Sequence, residues 1–188
     1  MDAADRLPDE QACIKRAAND PRDFAPLYDH YAPRVYKFFR YRAGDIPTAE
    51  DLTAQTFAQA LADIRRYKPS RGPFAAWLFG IANHAVSRHY RDAQRNPVTA
   101  LDQIADPPSD APPPEQVVID GETNARLARA VAQLTDRERE LIALKFAAGL
   151  PNTDIARITS LTESNVGVIL YRAVQKLRRI MTAEEFDR

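Results

Sequence analysis

Asn165, Val168, Tyr171, Arg172 and Lys176 share one side of a long periodic stretch, with Arg179 beyond them. Val166, Leu170, Ala173, Leu177 and Ile180 recur at i, i+4, i+7, i+11 and i+14 and form an apolar stripe on the other side. Polar and aromatic groups at the start of such a helix can read base edges in a major groove, and the cations further along can grip phosphates. A solvated face on a bundle helix has the same pattern, so the stretch alone leaves both readings open. A second concentration of cations lies in Arg65-Arg66-Tyr67-Lys68-Pro69-Ser70-Arg71-Gly72-Pro73, a basic loop broken by two prolines and a glycine. Catalytic chemistry lacks its parts. Paired carboxylates, an activated nucleophile and a phosphate-binding loop are all missing from the sequence pattern. Cys13 is the single cysteine, and His30, His84 and His89 have no ligand spacing for zinc. No catalytic residue, metal, cofactor or small-molecule substrate is expected.

The elements that must position these residues read as helices throughout. Ahead of the long helix, predicted over 163–181, stand a short helix over 153–158 and a break at Thr159-Ser160-Leu161, which together make a helix-turn-helix pattern. Thr135-Asp136-Arg137-Glu138 is a capping box that opens the helix before it, and Gly149-Leu150-Pro151-Asn152 closes that helix. A further helix precedes the capping box, from Asn124 to Gln133. In the N-terminal half, Leu27, Tyr31, Val35, Phe38 and Phe39 mark a helix, and a second is expected to begin at Thr48, capped by its hydroxyl. A third should run from Phe74 to Arg91, with Phe74, Trp77, Leu78 and Ile81 on one side.

Charge divides the chain in the same places. The 188 residues carry no net charge, yet 24–95 and 124–182 are each +5, while 96–123 is −6 and contains neither Lys nor Arg. Prolines dominate Asp106-Pro107-Pro108-Ser109-Asp110-Ala111-Pro112-Pro113-Pro114, which suits an extended tether and not a packed element. The expected organisation is an N-terminal extension (1–23), a basic helical domain (24–95), a flexible acidic linker (96–123), a second basic helical domain (124–182) and a tail (183–188), with disorder expected in the extension and tail. Basic blocks hold polyanions by releasing counterions. The lone cysteine fits a reducing compartment, and the acidic N-terminus lacks the apolar core of a signal peptide. No run approaches the roughly 20 apolar residues of a membrane span, so a cytoplasmic location without membrane insertion is expected.

Leu134-Thr135-Asp136-Arg137-Glu138-Arg139-Glu140, Gly149-Leu150, Asp154-Ile155-Ala156, Val166 and Tyr171-Arg172-Ala173 resemble the C-terminal DNA-binding domain of bacterial sigma factors. Response-regulator helix-turn-helix domains share that pattern. The N-terminal half separates the two: Ala49-Glu50-Asp51-Leu52, Gln55, Phe57, Phe74, Trp77-Leu78-Phe79-Gly80-Ile81-Ala82 and Arg91 are similar to the N-terminal sigma domain, and nothing reads as an α/β receiver. Two such segments in this order, with no domain between them, resemble the extracytoplasmic-function (ECF) sigma factors, an all-α family of two small domains, sigma domain two and sigma domain four.

That resemblance implies roles residue by residue. Asp51, Leu52, Gln55 and Thr56 would dock on core RNA polymerase, although Asp51 also serves as a first-turn carboxylate. The family often has glutamine and glutamate where this chain has Ala54 and Gln55, which removes a charge contact. Tyr67, Lys68, Arg71, Trp77, Gly80, Asn83, His84, Arg88 and Arg91 would receive and melt the −10 element of promoter DNA, where unstacked bases need aromatic surface and the strand needs cations. Trp77 has core packing as its simpler role, and the family often has asparagine at the position of His84. Lys145, Asn165, Gly167, Val168, Tyr171, Arg172 and Lys176 would read the −35 element. Many members carry a basic residue at Gly167 and a serine at Val168, so phosphate, apolar and shape contacts should weigh more here. An anti-sigma factor is the further partner the resemblance implies. A stand-alone helix-turn-helix regulator and a sigma-like decoy module are the alternatives, separated from the main reading by polymerase binding and by promoter-dependent transcription.

Overall fold

The computed structural model describes residues 7–95 and 126–186, and helices account for nearly all of them. The N-terminal half contains α1 (Glu10–Asn19), α2 (Ala25–Ala43), α3 (Ile46–Asp63) and α4 (Phe74–Arg95), with short 3₁₀ turns between α1 and α2 and between α3 and α4. The C-terminal half contains α5 (126–132), α6 (Asp136–Ile142), α7 (Asn152–Thr159) and α8 (Glu163–Phe186). The proline-rich linker expected at 96–123 lies outside the described residues. Among those described, no helix is long and apolar enough to cross a membrane.

The first half is built around aromatic side chains. Phe38, Phe39, Phe74 and Phe79 are fully buried, and the Phe38 ring meets Phe39 and Phe79 edge-on at centroid distances of 5.2 and 5.7 Å. Two details differ from the sequence expectation. Helix α3 starts before Thr48, because Asp45 is its N-cap and accepts the Thr48 N–H at 2.8 Å, with Pro47 in the first turn. The expected N-terminal extension is helical over α1, with Cys13, Ile14 and Ala17 buried against the domain. The Tyr31 hydroxyl donates to Glu10, and Arg65 Nε donates to the Ala18 carbonyl at 2.7 Å. A buried apolar face and these long-range bonds hold the segment in place, and its exposed charges give no hint of that.

In the second half, Thr135 and Glu138 form the reciprocal capping box, with the Thr135 N–H on Glu138 at 2.8 Å and the Glu138 N–H on the Thr135 hydroxyl at 3.3 Å. Helix α6 widens into a π-turn over Ala143–Ala147 and ends at Gly149, whose φ of 66° lies in the left-handed region. The corner between α7 and α8 turns at Ser160, also left-handed with φ 55°, where the Leu161 N–H reaches the Ala156 carbonyl at 3.0 Å. Thr162 then caps α8 by accepting the Asn165 N–H at 3.2 Å. Val166, Leu170 and Ala173 are buried, as their stripe requires.

The two halves pack against each other, and their buried apolar residues join into one core. Helix α2 lies along the π-turn and the start of α6, while α4 meets α7. Polar contacts tie the seam. Arg34 donates to the Ala148 carbonyl, Arg42 to the Asp136 carbonyl at 3.0 Å, and Arg157 to the Arg71 carbonyl at 3.0 Å. Asn83 Nδ2 donates to Glu140 Oε1 at 2.9 Å.

Candidate nucleic-acid interface

Three surfaces carry the residues singled out by the sequence. On α8, Asn165, Val168, Tyr171 and Arg172 all face solvent, and Tyr171 and Val168 are 67% and 46% exposed despite their apolar bulk. Burial of Val166 and Leu170 against the domain is what turns this face outward. Gly167 sits nearer the body of the domain, with the Asn152 amide 4.0 Å from where a Cβ would stand. Lys145 donates to the Asn152 side chain at 2.9 Å, so Asn152 bridges Lys145 towards the start of α8. Lys176 lies 3.5 Å from Glu138 and is drawn back to α6. Lys145 and Lys176 are therefore internally partnered, while Asn165, Tyr171 and Arg172 form the outward group.

The second surface is the loop after α3 and the face of α4. Tyr67, Phe74 and Trp77 form a triangle of rings with centroids 5.3 to 5.5 Å apart. Tyr67 is largely buried and its hydroxyl donates to the Gly72 carbonyl at 3.0 Å, which pins the loop; burial pushes its phenol pKa up. Trp77 is half-buried, so it serves both as core and as wall. Lys68, Arg71, His84, Arg88 and Arg91 are exposed around it. Gly72 has φ 135°, a conformation other residues rarely adopt, and a Cβ there would stand 2.6 Å from the Arg157 guanidinium. Gly80 is under no such pressure, since a Cβ would meet nothing within 4 Å. Asn83 is only 7% exposed and faces Glu140, so in this conformation it is not presented to solvent.

The third surface is the outer side of α3. Asp51 and Gln55 are exposed one turn apart, with Gln55 Nε2 donating to Asp51 Oδ2 at 2.6 Å. Leu52 and Thr56, grouped with them by the sequence, lie inward. Both are buried, Leu52 at 2% and Thr56 at 0% exposure, because at their positions the helix faces α2 and α4. Gln55, Gln59, Ile81, His84 and Arg88 line a groove between α3 and α4, which makes the outer side of α3 continuous with the basic face of α4.

Sequence reasoning missed the residues that join the halves: Arg34, Arg42, Glu140 and Arg157. Arg42 lies beside the Tyr90 ring, and burial lowers its pKa while the negative field of Glu140 opposes that fall. A buried arginine and glutamate read as ordinary surface charges in a sequence, and only their partners from the other half reveal them.

The geometry of two basic helical units, one with a helix-turn-helix, is matched by comparison with known proteins. Residues 27–96 match the family model for sigma-70 region 2, and residues 124–177 match that for sigma-70 region 4. The ECF RNA polymerase sigma factor RpoE of Cereibacter sphaeroides is 30% identical over 186 residues, which covers 96% of this chain and 99% of that protein. The chain belongs to the ECF RNA polymerase sigma factors. BldN of Streptomyces coelicolor, another ECF sigma factor, is 33% identical over 169 residues, covering 89% of this chain and 64% of BldN. In fold, this ECF sigma factor is similar to sigma factor RpoE bound to the anti-sigma factor NepR from Bartonella quintana, with a TM-score of 0.68 at 22% identity over 86% of this chain and 98% of the other. The α3 and α4 surfaces fall in the region 2 match, and the outward group on α8 falls in the region 4 match. As a sigma factor the chain directs transcription initiation and is not itself the catalyst.

Proposed function

We propose that this ECF sigma factor docks on core RNA polymerase through the outer side of α3, with Asp51 and Gln55 as its contacts. Helix α8 then reads the −35 element through Asn165, Tyr171 and Arg172, with Val168 as an apolar contact and Gly167 allowing close backbone approach. The −10 element is received by the Tyr67–Trp77 wall, with Lys68, Arg71, Arg88 and Arg91 along the displaced strand and Asn83 and His84 beside it. An anti-sigma factor is the further partner proposed, supported by the fold shared with an anti-sigma-bound sigma factor.

The observation that carries this reading is the outward placement of Asp51 with Gln55 on one domain and of Tyr171 with Arg172 on the other. Each half presents its own polar face, as a protein must that bridges a polymerase and a promoter. Capture of purified core polymerase tests the docking half. The wild-type chain is expected to bind it, and Asp51→Arg to abolish binding while leaving capture of duplex DNA intact. A wild-type chain that never binds core polymerase refutes the reading.

A further inference from the structure

The donor that the −10 reading assigns to DNA is already occupied from within the chain. Asn83 Nδ2 donates to Glu140 Oε1 at 2.9 Å, Asn83 is 7% exposed, and its Oδ1 has no hydrogen-bond partner among the described residues. Glu140 belongs to α6 of the other domain and is held in place by Arg137, whose second nitrogen donates to the Thr159 carbonyl at 2.9 Å. The same seam covers the aromatic wall. Arg157 of α7 lies 3.2 Å from Asp154 and donates to the Arg71 carbonyl, so Tyr67, Arg71 and Trp77 line a cavity closed on its far side by Asp154, Arg157 and Ile158. The outer side of α3 and the outward group on α8 are left uncovered, with Asp51, Gln55, Asn165, Tyr171 and Arg172 all exposed.

We propose that the second domain is an intramolecular competitor for the −10 strand, with the Glu140 carboxylate taking the Asn83 amide that a −10 base would use. This rests on the assignment of Asn83 and the Tyr67–Trp77 wall to the −10 element. The closed chain keeps its polymerase-docking face and its −35 face available and withholds only the face that receives melted DNA. Single-strand capture therefore waits on separation of the domains, and the apparent affinity for single strands is reduced by the fraction of chains that are open.

The seam is suited to opening. It buries the Arg42 guanidinium with its Nε unpartnered among the described residues, leaves Asn83 Oδ1 in the same state, and makes several of its bonds to backbone carbonyls. Buried polar atoms without partners disfavour the closed state relative to a solvated one.

The test uses the full chain with Cys13→Ser and a dye pair on exposed positions of α3 and α8. Energy transfer reports the distance between domains, and fluorescence anisotropy reports binding of a random-sequence pool of short single-stranded DNA. Wild type is expected to show a short distance. Glu140→Ala should lengthen it and raise single-strand affinity on the order of tenfold, the scale of one lost hydrogen bond to a buried charged group. Glu140→Gln keeps an acceptor for Asn83 while losing the carboxylate oxygen that Arg137 holds, so it should lengthen the distance and raise single-strand affinity less than Glu140→Ala does. That pair separates the contact from a general loss of folding. Equal distances and affinities in wild type and Glu140→Ala would overturn the competition, as would lengthening with no gain in affinity. If Asn83→Ala added to Glu140→Ala leaves the gained affinity intact, the −10 assignment of Asn83 has itself failed, and the competition for its amide with it.

Discussion

Thr56 shows how a residue that the sequence groups with exposed neighbours can sit inside the fold. Its side chain is fully buried, and its hydroxyl has no hydrogen-bond partner among the described residues. An unpaired buried hydroxyl costs its desolvation, whereas an apolar group of the same shape does not. Thr56→Val is therefore expected to leave the thermal unfolding midpoint unchanged or raise it, and to leave capture of core polymerase unaffected. Gln55, one position earlier, is exposed and paired with Asp51, so substitution there should act on polymerase binding and hardly on stability. Gly167 offers a second check at this scale. It lies within α8, and an added methyl would find its nearest neighbour, the Asn152 amide, at an easy 4.0 Å. Gly167→Ala should therefore stabilise the domain by about 1 kcal/mol, read by chemical denaturation.

At the scale of the element, the start of α6 is sharply specified by its own residues. Thr135→Ala removes the hydroxyl that accepts the Glu138 N–H and should cost about 1 kcal/mol. The Thr135 N–H, aided by the Thr135 hydroxyl and Lys176, holds the Glu138 carboxyl below its ordinary pKa against the opposing effect of burial. A carboxyl whose pKa is lowered by folding contributes stability that is present above the unfolded value and lost as pH falls through the folded one. Glu138→Gln should therefore lower the unfolding midpoint at neutral pH, and the gap from wild type should close under acidic conditions below the carboxylate range. This helix start is legible in Thr135-Asp136-Arg137-Glu138, as are the α7–α8 corner and the buried stripe of α8, because capping and periodicity are local. The start of α3 falls ahead of its expected place because Asp45, a stronger cap, stands before Pro47 and Thr48. Helix α1 is not legible in its own residues, because its stability comes from Tyr31 and the residues around Ile64, which are distant in sequence.

For the whole molecule, order and charge along the chain are enough to show two basic helical units, while their packing together is not. The seam depends on Arg34, Arg42, Asn83, Glu140 and Arg157, charged or polar residues whose partners lie far along the sequence. No periodicity encodes such pairs. The candidate site follows the same division: exposed faces on α3 and α8 are recognisable from helical spacing, whereas the cover over Asn83 requires the second domain in place. In the proposed reading, promoter-directed initiation uses all of these faces in one chain, one for polymerase and two for DNA. Run-off transcription with purified core polymerase on a genomic fragment library tests that requirement most directly. Discrete transcripts that depend on this chain, arise from templates sharing two upstream sequence elements, and disappear with Asp51→Arg are the predicted result. Core polymerase that gives the same transcripts with and without the chain would contradict it.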